Sequence, residues 1–438
     1  MIAFENVPQI NDTLKVQTYR LEETADGDVK LADTLYYTSD FKTVGEVRAN
    51  AIKVAEEVVV EGTVLLKNNN STLPLAKGTK VSLVGAGAYD PVYGGTGSGG
   101  ISGAAQMKYN ESLAAAGLVI NPTIETSYLS DEWKGYKRSS QGSYGNTRIL
   151  INEVPWDVLN AAAGDSFKEY GDAAIMVVSR RGGEGYDLNC DCDGIDNNDG
   201  LGTDYLGLNQ NELDILNGLK AMKAAGDIKK IIVVINFSSM IEGEFFADDA
   251  VDALIWAGAP GAGNNMFGKI ITGEYNPSGR LPDTMWMDNA KNPTNVNFGW
   301  WTYPNAEELG VEMTVGKKNY PEITLGSYMV YQEGMYMGYR YTETRYEDLV
   351  LGTPNVGSFD YNDVVAYPFG HGLSYSDFEV SDATVTKTGD REYTVSVKVT
   401  NKATSKYAGK YSVPIWISKP YNDYAKKNGI QVPTVELI

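Results

Sequence analysis

Four stretches of this 438-residue chain are apolar almost without interruption: VSLVGAG at 81–87, AAIMVVS at 173–179, KKIIVVINF at 229–237 and DALIWAG at 252–258. A strand with one wet face alternates polar and apolar residues, so an unbroken apolar run implies a strand covered on both faces. Segments with helical spacing lie between them at 106–117, 155–170, 209–226, 240–246 and 264–273, with a short strand signal, LVINP, at 118–122. Parallel neighbours need long crossovers, usually helices, and these segments supply them. The sequence therefore predicts an α/β fold over 44–290, a three-layer α/β sandwich around a mostly parallel sheet.

The flanks read differently. Residues 1–43 form a polar N-terminal arm with room for two short strands. From Val44 the apolar residues Val47, Ala51, Val54, Ala55, Val58, Val59 and Val64 recur at helical spacing, so one amphipathic helix is expected up to Lys67, with Gly62 as a point of interruption. Residues 291–375 are rich in Pro, Asn, Tyr and Trp without clear periodicity, and read as a connecting wrap. In 376–438 the period becomes two. Tyr393, Val395, Val397 and Val399 alternate with Thr394, Ser396, Lys398 and Thr400, near a Thr388-Gly389-Asp390 turn. That predicts an antiparallel β-sandwich module, incomplete because about 60 residues remain where seven strands need about 100.

Charge narrows the function. Lys plus Arg is 37 against 57 for Asp plus Glu, a net charge of −20, which repels nucleic acid and anionic lipid. The start, MIAFENVPQINDTLK, lacks a basic region followed by an apolar one, and no apolar run reaches membrane-spanning length; a cytoplasmic protein without a membrane segment is expected. Cys190 and Cys192 stand one residue apart and build no disulfide framework. Gly85-Ala86-Gly87 follows a strand but lacks the third glycine of a dinucleotide fingerprint.

Chemistry gathers where AAIMVVS runs into SRRGGEGYDL. Ligand sites of open α/β sheets lie at the carboxyl ends of strands, and flanking glycines let a loop carry one carboxylate over such a crevice. Glu184 is thus a candidate acid/base; a solvated glutamate paired with a neighbouring arginine is the alternative. In NCDCDGIDNNDG (189–200), Asn189, Asp191, Asp193 and Gly194 follow the first half of a calcium loop, and Asp196 and Asp199 add oxygens. Gly200 stands where the bidentate glutamate belongs, so a calcium site and an acidic surface loop both remain open, and no other cofactor is expected. The single histidine, His371, has no Ser/Asp partners in spacing and reads as structural. The tyrosines of 331–346 read as packing or sugar stacking.

EGTVLLKNNNSTLPL (61–75), SRRGGEGYDL (179–188), NPSGRLPDTMW (276–286), QEGMYMGYRYTET (332–344) and YPFGHGLSYSDFEV (367–380) together resemble glycoside hydrolase family 3, in that family's order. The resemblance implies the α/β sandwich domain and the fibronectin type III-like module of a retaining β-glycosidase, with β-glucosidase specificity favoured over β-xylosidase or β-N-acetylglucosaminidase. It places the general acid/base on Glu184 and puts Arg180, Arg181, Tyr186 and Asp187 beside the substrate, the two arginines facing away from Glu184 or toward the aglycone side. The family's nucleophile, an aspartate, belongs to a (β/α)8 barrel that this sequence does not contain. The short arm resembles members in which the barrel follows the β-module, so the partner is a barrel in cis or in trans, the substrate a β-linked oligosaccharide or β-glucoside, and the chain alone is expected to be inactive. A non-catalytic carbohydrate-binding or assembly module of the same fold is the competing expectation.

Overall fold

The computed structural model describes residues 21–23, 25–27, 29–31, 40–102, 106–143, 146–183, 205–296, 301–305, 308, 327–328, 330–353, 356–402 and 406–438. Contacts divide the chain into two compact units, Met1–Ala51 and Ile52–Ile438. In the first, β1 (Leu21–Glu23) and β2 (Val29–Leu31) pair antiparallel, with Leu21 opposite Leu31, the two short strands anticipated for the arm.

A helix over Val44–Gly62 runs from the first unit into the second. It corrects the sequence reading twice. The helix stops at Gly62, and Val64–Asn68 is β3, a strand of the main sheet. Of the apolar face expected beyond Ile52, only Val59 is buried, against Met266 and Ile270; Val54 and Val58 are 49% and 63% exposed. Val64 falls at helical spacing by chance, because only Thr63 separates the helix end from the apolar start of β3.

The remaining strands of the core region are β4 (Lys80–Val84), β5 (Val119–Ile120), the hairpin β6 (Ser139–Ser143) with β7 (Asn146–Leu150), β8 (Ala173–Ser179), β9 (Ile231–Asn236) and β10 (Ala253–Trp256). Five of them join β3 in one six-stranded sheet, in the order β3-β10-β9-β8-β4-β5. All neighbours are parallel except β3, which runs antiparallel to β10. Every residue of β8 and β9 is buried, as their unbroken apolar runs require. The hairpin of β6 and β7 left no sequence signal that was read.

Helices supply the crossovers: Tyr109–Ala115, Pro122–Leu129, Trp156–Ala163, Ser166–Glu169, Gln210–Ala225 and Phe267–Ile271. The longest is framed as its sequence dictates. Asn209 accepts from the Glu212 amide while the Glu212 carboxylate accepts from the Asn209 amide, a capping box, and left-handed Gly226 ends the helix. The segment at 240–246 is helical only as a 3-10 turn, Glu244–Phe246.

Met285–Trp286, just before the wrap, pairs with Val365–Tyr367 inside it, and a helix occupies Tyr339–Leu351, where the sequence shows no periodicity. Thr342 is that helix's one buried residue; a helix without a covered stripe writes no apolar pattern into its sequence. His371 is structural: its Nε2 lies 2.8 Å from the Leu66 carbonyl, its ring stacks on Tyr367, and burial lowers its pKa. Two residues on, Leu373 bridges Leu65 of β3. Beyond it, Phe378–Gly389 and Glu392–Asn401 form a long antiparallel ribbon, and Trp416–Ser418 pairs with Val435–Leu437. No helix of the described residues is long and apolar enough to cross a membrane.

Candidate active site at the carboxyl edge of the sheet

From β4 the chain passes to β5 on one side and later to β8 on the other, so the order reverses between β4 and β8. A crevice opens at the carboxyl ends of strands where such a reversal occurs. β4 is followed by Gly85-Ala86-Gly87, and β8 ends in Ser179. A Cβ on Gly87, after β4, would lie 2.0 Å from Ser179 Oγ at the end of β8, so only glycine lets the two loops meet there.

The exit from β8 is held on several sides. Arg180 is fully buried and pairs with Glu212 at 2.6 Å. Its guanidinium also donates to the carbonyls of Ser179 and Tyr205, and to that of Gly207. This corrects one expectation: Arg180 is turned into the protein, its donors engaged by carbonyls and a carboxylate. Arg181 is exposed, and its backbone is clipped instead. The Tyr205 hydroxyl accepts from the Arg181 amide at 3.0 Å and donates to its carbonyl at 2.6 Å. The two edges of the segment 184–204 are thereby joined at their roots.

The glycine-rich stretch 93–100 braces the same exit. The Thr96 amide donates to the Gly182 carbonyl at 3.2 Å. Gly183 has φ +141, and a Cβ there would lie 2.4 Å from the Thr96 nitrogen, so this position demands glycine for both conformation and space. Glu184, Tyr186, Asp187, Asp191, Asp193, Asp196 and Asp199, with Cys190 and Cys192, lie outside the described residues. Among the described residues no group of three or more His, Cys, Asp or Glu side chains is placed to hold a metal ion.

Two features escaped the sequence reading. A small cavity between β4 and β8 is lined by Asp90, Arg138, Asn152, Glu153, Ser179 and Glu212. Arg138 pairs with Asp90 at 3.1 Å. Burial pushes the Glu153 carboxyl up to about 7, opposed by amide hydrogen bonds from Ala86 and Val154 and reinforced by the charge of Glu212. The second feature is Asn236, the last residue of β9, whose side chain joins Val92, Ser179 and Gly258. An amide closing an apolar strand, and a carboxylate between Ile151 and Val154, were the signals available.

The chain matches the model of the glycosyl hydrolase family 3 C-terminal domain over residues 63–339, and it belongs to that family. It is 28% identical over 348 residues to β-glucosidase A of Butyrivibrio fibrisolvens, covering 76% of this chain and 36% of that protein. To a β-glucosidase of Ruminococcus albus it is 28% identical over 376 residues, covering 84% of this chain and 32% of that protein. The chain thus spans about a third of the length of these curated relatives. Among solved structures, β-glucosidase 3B from Thermotoga neapolitana in complex with glucose matches with a TM-score of 0.65 and 28% identity, covering 90% of this chain and 46% of that one.

Proposed function

We propose that this chain is the α/β part of a retaining β-glycosidase acting on β-glucosides, in which Glu184 is the general acid/base and the nucleophile comes from a (β/α)8 barrel in cis or in trans. The observation that supports it most is the built exit from β8. Arg180, Tyr205, Thr96 and Gly183 fix the chain up to the residue before Glu184, at the edge of the sheet where α/β ligand sites form. The names of the relatives supply the reaction class.

In the retaining scheme the barrel carboxylate attacks the anomeric carbon while Glu184 protonates the departing oxygen. Glu184 then takes a proton from the water that releases the sugar, with the two carboxyl groups about 5–5.5 Å apart. Arg181, exposed beside the exit, contacts the aglycone side in this reading, and Tyr186 and Asp187 bind the substrate. Glu184→Gln in the barrel-complete enzyme is expected to lower kcat/KM by about 10²–10⁴-fold on glucosides with poor leaving groups, and to spare the first step on activated aryl glucosides, which need no proton. Equal loss on both classes would overturn the assignment and favour a non-catalytic module. The 438-residue chain alone is expected to show no turnover, since one carboxylate cannot be both nucleophile and acid/base.

A further inference from the structure

We propose that Asn236 is the positioning residue for the acid/base loop, an inference that rests on Glu184 being the acid/base. Asn236 ends β9 and is fully buried. Its Oδ1 accepts from the Val92 amide at 2.7 Å and from the Ser179 hydroxyl at 3.0 Å. Its Nδ2 donates to the carbonyls of Val92 at 2.9 Å and Gly258 at 2.8 Å. A carboxamide offers two lone-pair sites and two N–H groups, and here all four are engaged. The Asn236 backbone carbonyl adds a fifth bond, from the Arg180 amide at 3.2 Å.

The partners are the roots of the loops leaving β4, β8 and β10. From Ser179 the chain reaches Gly183 in four residues; from Val92 it reaches Thr96 in four, and Thr96 holds Gly182. Tyr93, next to Val92, accepts from the Gly261 amide in the loop after β10. Residues 179–183 are therefore supported by the Asn236 side chain twice, once directly through Ser179 and once through the Val92–Thr96 strap. A shift of this one carboxamide moves both supports together, and with them the point at which residue 184 leaves the described edge. The five residues before it in β9, Ile231 to Ile235, are all apolar, so an amide here answers to the loops rather than to the sheet.

The test compares Asn236→Ala and Ser179→Ala with the parent sequence in the barrel-complete enzyme. The readout is kcat/KM across aryl β-glucosides of increasing leaving-group pKa. Misplacing a catalytic group by about 1 Å can cost about 10²-fold. Asn236→Ala is expected to lose about that much on the poorest leaving groups and only a few-fold on the most activated. Ser179→Ala, which removes one hydroxyl and carries the test should Asn236→Ala fail to fold, is expected to show the same slope more weakly. A flat profile for both variants beside a steep one for Glu184→Gln overturns the positioning role alone. A flat profile for Glu184→Gln overturns the acid/base reading, and the positioning proposal with it.

Discussion

Strand β9 reads IIVVIN and the ribbon strand Glu392–Asn401 reads EYTVSVKVTN; both are rich in the β-branched residues that suit a pleated backbone. In β9 every residue is buried. In Glu392–Asn401 only Val395 is even half-buried, although Val380 sits opposite Val399 and Val385 opposite Val395 across the two strands of the ribbon. Local propensity makes a strand in both places, whereas stability comes from what covers it. Helices lie on the central sheet, and the described residues provide the ribbon no equivalent cover. The sheet should therefore respond strongly to substitution and the ribbon weakly.

The largest expected effect is at the buried ion pair. Glu212→Ala removes the carboxylate that pairs with the fully buried Arg180, a change that costs about 3–5 kcal/mol in such settings. Urea unfolding of the chain measures it, and a loss below about 1 kcal/mol would mean that the other contacts of Arg180 suffice. The next is pH-dependent. The Glu153 carboxyl rises from an ordinary 4.5 to about 7 on folding. Its contribution is therefore fully present below the unfolded value of 4.5 and is lost as pH rises toward 7, a swing of about 3 kcal/mol at 1.36 kcal/mol per pKa unit. Unfolding midpoints between pH 4.5 and 8 are expected to fall more steeply for the parent chain than for Glu153→Gln. That variant is itself weakened at low pH, because its amide nitrogen faces one of the two backbone N–H groups now bound. An unchanged slope would place the titration elsewhere. The smallest effect belongs to the ribbon: Val385→Thr at a 69% exposed position should shift stability by no more than about 0.5 kcal/mol. A loss of 2 kcal/mol there would reveal a cover on that face and erase the contrast.

Much of the sheet was legible because burial on both faces leaves no alternation to misread; β4, β8, β9 and β10 stand where the apolar runs do. The helix Gln210–Ala225 was legible because Asn209 and Gly226 punctuate it. β3 was hidden because only Thr63 separates the end of the helix from the apolar start of the strand. At the site, glycines beside Glu184 marked a loop, yet the supports of that loop were invisible. Asn236 meets Val92 across 144 residues, and Glu153 meets Ala86 across 67. Such bonds have no period and no motif; only the fold brings the partners together. The misreading of Arg180 has the same origin, since its partner Glu212 lies on a different element, 32 residues away.

The flanks of the central sheet bear on how the protein behaves in concentrated solution. An open strand edge offers a row of unpaired amides and carbonyls to any other chain, and is a common start of aggregation. Here β5, at one flank, is two residues long. At the other flank β3 is covered by the 371–373 segment, where Leu373 donates to the Leu65 carbonyl at 2.7 Å and His371 contacts that of Leu66. That short histidine-containing turn thus acts as a guard against strand addition, and loosening it would offer the backbone edge of β3 to neighbouring molecules.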